Sequence, residues 1–259
     1  MDLDWYYYFF MLLAGVLAGA INTLAGSGSV ITLSILIFAG LPADIANGTN
    51  RIGTSVQSMI SGYNFYKGKQ FTITGSLHYT IPALLGAIVG AMVVVDINEK
   101  WLEYIIGIMM MGMLLLIIFK PHKKIRNESN EAGNKWVTWL IFAAIGFYGG
   151  FIQAGIGIFL MMGLSYLTKL SMVQSNAVKV FTVALFSLPV LCIFIYNDQV
   201  NWELGIWLAV GQAIGSYSAS KFALNNPNAV TWMRKVLIVM IVVSIIRMFG
   251  VWEWVVGWV

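Results

Sequence analysis

Two short polar segments interrupt an otherwise apolar sequence, and both contain paired glycines. Residues 22–29 read Asn-Thr-Leu-Ala-Gly-Ser-Gly-Ser, and residues 153–157 read Gln-Ala-Gly-Ile-Gly. Glycine permits tight turns and close approach of a ligand. A helix that starts after such a turn presents unbonded N–H groups and the positive end of its dipole, which together attract anions. The candidate binding residues of these segments are Asn22, Gly26, Ser27, Gly28, Ser29, Gln153, Gly155 and Gly157. Packing of helices through small residues is the alternative interpretation.

A second polar cluster begins near Pro42 and Asp44, which suit the start of a helix. From there, polar side chains recur at three- or four-residue spacing, so they lie on one side of that helix. The candidate binding residues are Asn47, Thr49, Asn50, Arg51 and Gln57, with Asn176 and Lys179 at the equivalent place in the second half. An unpaired buried cation is costly, so two of them predict a site for a small anion. The alternatives are that Arg51 reaches the membrane surface or pairs with Asp44.

The composition defines the surroundings of these clusters. The 259 residues are 59% hydrophobic and only 10% charged, whereas a soluble domain has about 25% charged residues. The chain is therefore expected to lie in a lipid bilayer, and nucleic acid is not expected as a partner. One cysteine and two histidines leave too few ligands for a metal or haem site, so no cofactor is predicted.

The lengths of the apolar runs predict an all-α integral membrane protein that crosses the bilayer several times. Most runs are long enough for a membrane-spanning helix of about 20 residues. Residues 30–39 and 158–167, which each follow a glycine segment, are too short to cross about 30 Å of hydrocarbon. They are expected to be short broken or re-entrant helices, because irregular backbone at that depth must lie within protein or beside a cavity.

The sequence also contains signs of two tandem repeats. A shift of 129 residues aligns Gly26 with Gly155 and Asn47 with Asn176. The predicted organisation is a membrane repeat over residues 1–120, a cytoplasmic linker over 121–135 and a second repeat over 136–259. Basic residues mark cytoplasmic loops, and placing Lys67 and Lys221 inside makes the repeats inverted. A parallel arrangement, with Lys221 outside, is the alternative. Repeats of this kind are typical of secondary transporters.

The order of these motifs resembles the TauE/SafE family, the sulfite exporter family. The resemblance rests on residues 22–29, on Gly40-Leu41-Pro42 and on residues 46–51, Ala-Asn-Gly-Thr-Asn-Arg. It implies a transporter of the bacterial inner membrane for sulfite, sulfoacetate or a related small organosulfur anion, with the paired motifs lining its path. The second-half motif, residues 175–179, lacks the threonine of the first.

These observations together predict export of sulfite or an organosulfonate by alternating access. An anion channel, or a transporter of another small anionic metabolite, is the nearest alternative. A membrane enzyme is not expected, because Ser27 or Ser29 with His78 offers no third catalytic member and no nucleophile elbow. The expected partners are the anion and the lipid bilayer, and a homo-oligomer is compatible with the sequence.

Overall fold

The computed structural model describes residues 5–119 and 135–226, which contain helices and no strand. The predicted all-α membrane fold is thus confirmed for this part of the chain. Most of the linker and the last apolar run, residues 230–249, lie outside the described residues, so the domain boundaries stay predictions. In order, the helices are α1 (Trp5–Leu24), α2 (Gly28–Phe38), α3 (Ala43–Lys67), α4 (Ile73–Val95), α5 (Glu99–Phe119), α6 (Lys135–Phe151), α7 (Ile156–Leu167), α8 (Met172–Tyr196) and α9 (Trp202–Asn225).

Two of these helices are too short to cross a membrane. Helices α2 and α7 have 11 and 12 residues, so they rise only about 17 and 18 Å at 1.5 Å per residue. By contrast, α1, α4 and α8 are each long and apolar enough to span a bilayer. The short helices follow the two glycine turns, as predicted.

The most extensive helix contacts join α1 to α9 and α4 to α6. Glycines make these contacts close. A Cβ at Gly215 of α9 would lie 1.9 Å from the carbonyl oxygen of Val16, and one at Gly150 of α6 would lie 1.8 Å from that of Ala87. Such a distance is far inside van der Waals contact. Each pair therefore packs backbone against backbone, and each combines a helix from the first half of the chain with one from the second.

Helices α3 and α8 cross the centre of the molecule in opposite directions. Gly62, near the end of α3, lies against Val180 near the start of α8, whereas Gly48, near the start of α3, lies against Phe194 near the end of α8. Both helices have 25 residues, and their first residues are 129 apart. Their buried polar side chains bond to other helices, Arg51 of α3 to α6 and Lys179 of α8 to α1, and not to lipid, which cannot satisfy them.

Charged residues separate to the two ends of the bundle. Helix α9 runs parallel to α3, because Gly205 lies against Ile52 and the Asn64 side chain donates to Ser220 Oγ at 2.8 Å. Lys67 and Lys221 therefore lie at one end, here called the basic end. The opposite, acidic end carries Asp96 after α4 and Glu203 in the first turn of α9.

Candidate functional site

The two glycine turns are in direct contact at the centre of the molecule. The amide of Gly157 donates to the carbonyl oxygen of Gly26 at 3.1 Å. A Cβ at Gly157 would lie 2.3 Å from the Cα of Gly26, so no larger residue fits without moving backbone. Gly26 has φ +80° and Gly155 has φ +69°, and other residues adopt this left-handed region only with strain.

Ser29 fastens the two turns together. Its hydroxyl donates to the carbonyl oxygen of Gln153 at 3.1 Å and accepts from the amide of Gly155 at 3.1 Å. The amides of Gly155 and Gly157 are therefore already bonded within the protein. The expectation that they are free to hold an anion does not match this conformation, because each turn supplies the hydrogen-bond partners of the other.

Arg51 is completely buried on α3, yet none of its bonds reaches a carboxylate among the described residues. Its Nη1 and Nη2 donate to the carbonyl oxygens of Gly149 and Gly150, both at 2.7 Å, and Nη2 also reaches Asn47 Oδ1 at 3.2 Å. The guanidinium carbon lies 4.9 Å from the centre of the Phe194 ring. The side chain therefore neither extends to the membrane surface nor pairs with Asp44. It satisfies the last carbonyls of α6, which lack intrahelical partners.

Lys179 on α8 satisfies the last carbonyl groups of a helix in the first half of the chain. Its Nζ donates to the carbonyl oxygens of Asn22 and Thr23 at the end of α1, both at 3.1 Å, and the residue is 2% exposed. An ammonium has three N–H groups, so one remains beyond these two bonds. Cations are favoured at helix carboxyl ends, which explains how the fold tolerates this buried charge.

A small cavity adjoins Lys179. Its volume is about 10 Å³, room for roughly one water molecule. Polar side chains from α1, α3 and α8 line it together with apolar side chains from α7 and α8. The lining residues are Asn22, Thr23, Gln57, Ser58, Ser61, Ile156, Gly157, Lys179, Val180 and Val183.

Several buried polar atoms around the turns have no hydrogen-bond partner within the described ranges. They belong to both halves of the chain and are Thr23 Oγ1, Ser27 Oγ, Gln57 Oε1, Asn176 Oδ1 and both polar atoms of the Gln153 side chain. Such atoms are costly to bury without a partner. A bound polar ligand would offset that cost.

The structure separates the predicted site residues into groups. Asn22, Gln57, Gly157 and Lys179 line the cavity. Asn47 and Arg51 bond to the end of α6. Thr49 accepts from the amide of Asn201 at 2.9 Å at the acidic end, and Asn50 accepts from Thr32 at 2.5 Å.

Three polar residues of the cavity wall, Thr23, Ser58 and Ser61, are absent from the predicted set. The spacing of Ser58 and Ser61 along α3 was the available signal, since it continues the polar stripe of Asn47 and Arg51. Thr23 carries no such signal, because its sequence position shows only that it precedes the turn. His78, considered above as a catalytic partner, is exposed and accepts from Trp139 Nε1.

Comparison with known proteins agrees with this architecture. The family described as "Sulfite exporter TauE/SafE" matches residues 11–248. "Probable membrane transporter protein ORF9" of Sinorhizobium sp is 23% identical over 223 residues, which are 86% of this chain and 85% of that protein. "Probable membrane transporter protein YfcA" of Escherichia coli (strain K12) is 23% identical over 218 residues, 83% of this chain and 80% of its own. "Probable membrane transporter protein YdhB" of Bacillus subtilis (strain 168) is 25% identical over 223 residues, which are 85% of this chain and 90% of that protein.

No solved structure matches the chain. The names of the relatives are those of transporters and not of enzymes, in agreement with the prediction from the sequence. Because the family match covers nearly the whole sequence, the chain belongs to the sulfite exporter TauE/SafE family of membrane transport proteins.

Proposed function

We propose that this protein is a secondary transporter that exports a small sulfur oxyanion, sulfite or an organosulfonate such as sulfoacetate, and that the cavity beside Lys179 is its binding site. The observation that carries the proposal is a buried ammonium with one N–H beyond its two carbonyl bonds, in a cavity with hydroxyl and amide side chains. Charge-assisted hydrogen bonds are the strongest that a protein offers an oxyanion.

The lining of the cavity favours an anion with a small charged head. Lys179, Ser58 and Gln57 offer donors, and Ile156, Val180 and Val183 supply apolar surface beside them. The donors suit the oxygens of sulfite, and the apolar side chains suit the short carbon chain of an organosulfonate once the cavity widens. The description of the family, sulfite exporter, supports the same class of substrate.

The size of the cavity favours a carrier over a channel. About 10 Å³ accommodates roughly one water, which is less than sulfite requires. An anion would therefore enter only after helices move apart, and a channel in its conducting state needs a continuous path. Exposure of the site to one side at a time is the behaviour of alternating access.

Inverted repeats remain part of the proposal. Helices α3 and α8 have equal lengths and opposite directions, and Lys67 and Lys221 lie at the same end. A parallel arrangement of the repeats would place these two lysines at opposite ends. Movement of one sequence half against the other would, however, separate α1 from α9 and α4 from α6. We therefore propose that the moving units are α1, α2, α3 and α9 against α4, α6, α7 and α8.

The proposed location is the bacterial inner membrane, with the basic end in the cytoplasm. A cysteine in place of exposed Lys67 or of exposed Asp96 tests this orientation in a Cys192→Ser background, since Cys192 is the sole native cysteine. In intact spheroplasts, an impermeant maleimide should label Asp96→Cys. It should label Lys67→Cys only after the membrane is opened, and the reverse pattern contradicts the orientation.

Counterflow in proteoliposomes tests the function itself. Vesicles loaded with sulfite should take up labelled sulfite in a saturable way, and a panel with sulfate, thiosulfate, sulfoacetate and taurine should rank the substrates. Lys179→Gln keeps N–H donors for the carbonyls of Asn22 and Thr23 but removes the charge, so sulfite KM should rise about 10- to 100-fold. Lys221→Gln, the same change at an exposed lysine, should leave KM unchanged.

Two outcomes contradict the proposal. One is an absence of saturable counterflow for every anion of the panel. The other is an equal KM for Lys179→Gln and the wild-type protein. A conductance far above carrier turnover would instead support the channel.

A further inference from the structure

Asn47 and Arg51 together satisfy three consecutive carbonyl groups at the end of α6. Arg51 donates to Gly149 and Gly150, and Asn47 Nδ2 donates to Phe151 at 2.8 Å. The two side chains are one helical turn apart on α3 and are linked by the bond from Nη2 to Asn47 Oδ1. Away from water, these carbonyls have few other donors. Asn47 and Arg51 thus form a clamp, here called the α6 clamp, that ends the helix at this point.

Two residues beyond the clamped helix, the chain has an unusual backbone conformation. Gln153 has φ +65°, which a residue other than glycine adopts at a cost. Both polar atoms of its side chain are buried without a partner among the described residues. The main chain of Gln153 is held from the other side by Ser29. The clamp and Ser29 therefore fix from two sides a turn whose side-chain amide is left for a ligand.

Arg51 does not line the cavity. Its terminal nitrogens are used by the clamp, and the aromatic ring of Phe194 covers its guanidinium at 4.9 Å; Nε alone has no partner among the described residues. The cavity is lined instead by Lys179 and by residues from the later part of α3. The positive charge of Arg51 therefore acts on the carbonyl groups at the end of α6. An effect of Arg51 on a substrate must then pass through the turn that follows α6.

We infer that Arg51, with Asn47, is a positioning residue that presents the Gln153 amide to the transported anion and does not itself bind that anion. Gln153 does not line the cavity in this conformation either, so its unpartnered amide meets the anion when the cavity widens to admit it. The inference rests on the proposed function, because it assigns a second group, Gln153, to the same transport reaction. It gives the two buried cations different roles: Lys179 contacts the anion, and Arg51 shapes the turn.

Arg51→Lys distinguishes a positioning role from a direct charge. A lysine retains the charge, but its single nitrogen, on a shorter side chain, cannot reach Gly149, Gly150 and Asn47 Oδ1 together as the two terminal nitrogens of the planar guanidinium do. If Arg51 positions the turn, Arg51→Lys and Arg51→Gln should raise sulfite KM to a similar extent, by about tenfold. If Arg51 binds the anion by its charge, Arg51→Lys should transport almost as well as the wild type while Arg51→Gln fails, and the inference is overturned.

A double-mutant cycle with Gln153→Ala identifies the route of the effect. Substitutions that act through one group are not additive. The rise in KM caused by Arg51→Lys should therefore disappear when Gln153 is already alanine. The same substitution combined with Lys179→Gln should give additive effects on log KM. Additive effects in both cycles overturn the inference, since a general loss of stability would affect both backgrounds alike.

Asn47→Ala provides the milder variant should Arg51→Lys fail to fold, since it breaks the Phe151 bond and the link to Arg51 but leaves Gly149 and Gly150 bonded. It should raise KM in the wild-type background and not in Gln153→Ala, and any other pattern contradicts the inference.

Failure of the proposed function is recognised separately. In that case neither Lys179→Gln nor Gln153→Ala changes sulfite KM, or the wild-type protein shows no counterflow.

Discussion

The surroundings of Arg51 and Lys179 have one feature in common and differ in another. Each cation is buried on a central helix and bonds to the last carbonyl groups of a helix from the other half of the chain. Around Arg51, however, the neighbours are aromatic, since Phe194 lies over its guanidinium. Around Lys179 they are hydroxyl and amide groups beside a cavity.

This difference shows that a buried charge is not by itself a binding site. In both places the charge stabilises a helix end whose carbonyl groups water would satisfy in a soluble protein. At Lys179, among the residues that the structure describes, the packing leaves a space and further donors beside the charge. The residues that surround the cation, and not the cation, therefore decide whether a substrate can reach it.

The contact between the two glycine turns should give the largest effect, because each turn follows a helix end that one of the two cations holds. Gly157→Ala places a methyl group 2.3 Å from the Cα of Gly26, and backbone on both sides resists the shift. Overpacking of this kind costs about 1–3 kcal/mol of unfolding free energy. Transport should be abolished because the turns separate. Counterflow and thermal unfolding in detergent measure the two effects.

Gly107→Ala in α5 is the matched control for that substitution. Nothing lies within 4 Å of a Cβ built at Gly107, so alanine should fit there and leave transport unchanged. Normal transport by Gly157→Ala would mean that the two turns are not held together during the transport cycle. The two cation sites would then act independently of the contact between the turns.

The sequence predicted the helices and turns of this architecture better than the hydrogen-bond partners of their buried side chains. The short apolar runs after residues 29 and 157 predicted α2 and α7, and the duplicated glycines predicted turns that do meet. Both follow from local properties, namely run length and backbone freedom. The polar stripe of α3 likewise predicted a buried face.

The roles of the two cations could not be predicted in the same way. Arg51 bonds to carbonyl groups 98 and 99 positions away, and every residue carries a carbonyl, so the sequence contains no sign of which one accepts. The sequence therefore favoured an anion as the partner of Arg51, although the backbone supplies that partner. The cavity at Lys179 depends on the packing of four helices, so the sequence indicated several of its lining residues, such as Asn22 and Gln57, but not that they enclose one space.

A substitution of the aromatic ring beside Arg51 should change the stability of the protein and not its affinity for sulfite. Phe194→Leu removes the ring over Arg51, and a desolvated contact of this type contributes about 2 kcal/mol. The midpoint of thermal unfolding should therefore fall by roughly 2–4 °C per kcal/mol lost, while sulfite KM stays unchanged. Phe222→Leu, at a 44% exposed phenylalanine of α9, is the control and should leave both quantities unchanged. A rise in KM for Phe194→Leu that persists in a Gln153→Ala background would place the substrate near Arg51 as well.

The smallest expected effect concerns the hydroxyl groups on the Lys179 side. Ser58 and Ser61 both line the cavity, but the Ser61 hydroxyl already donates to the carbonyl oxygen of Gln57 at 2.7 Å. Ser58 should therefore be the serine that donates to the anion, and Ser58→Ala should raise sulfite KM about tenfold, the equivalent of one hydrogen bond to a charged group of about 1.5 kcal/mol. Ser61→Ala is the matched variant in the same wall. Equal KM values for the two variants would show that neither hydroxyl distinguishes the anion, and the specificity of the Lys179 site would then depend on its charge and on the Gln57 amide.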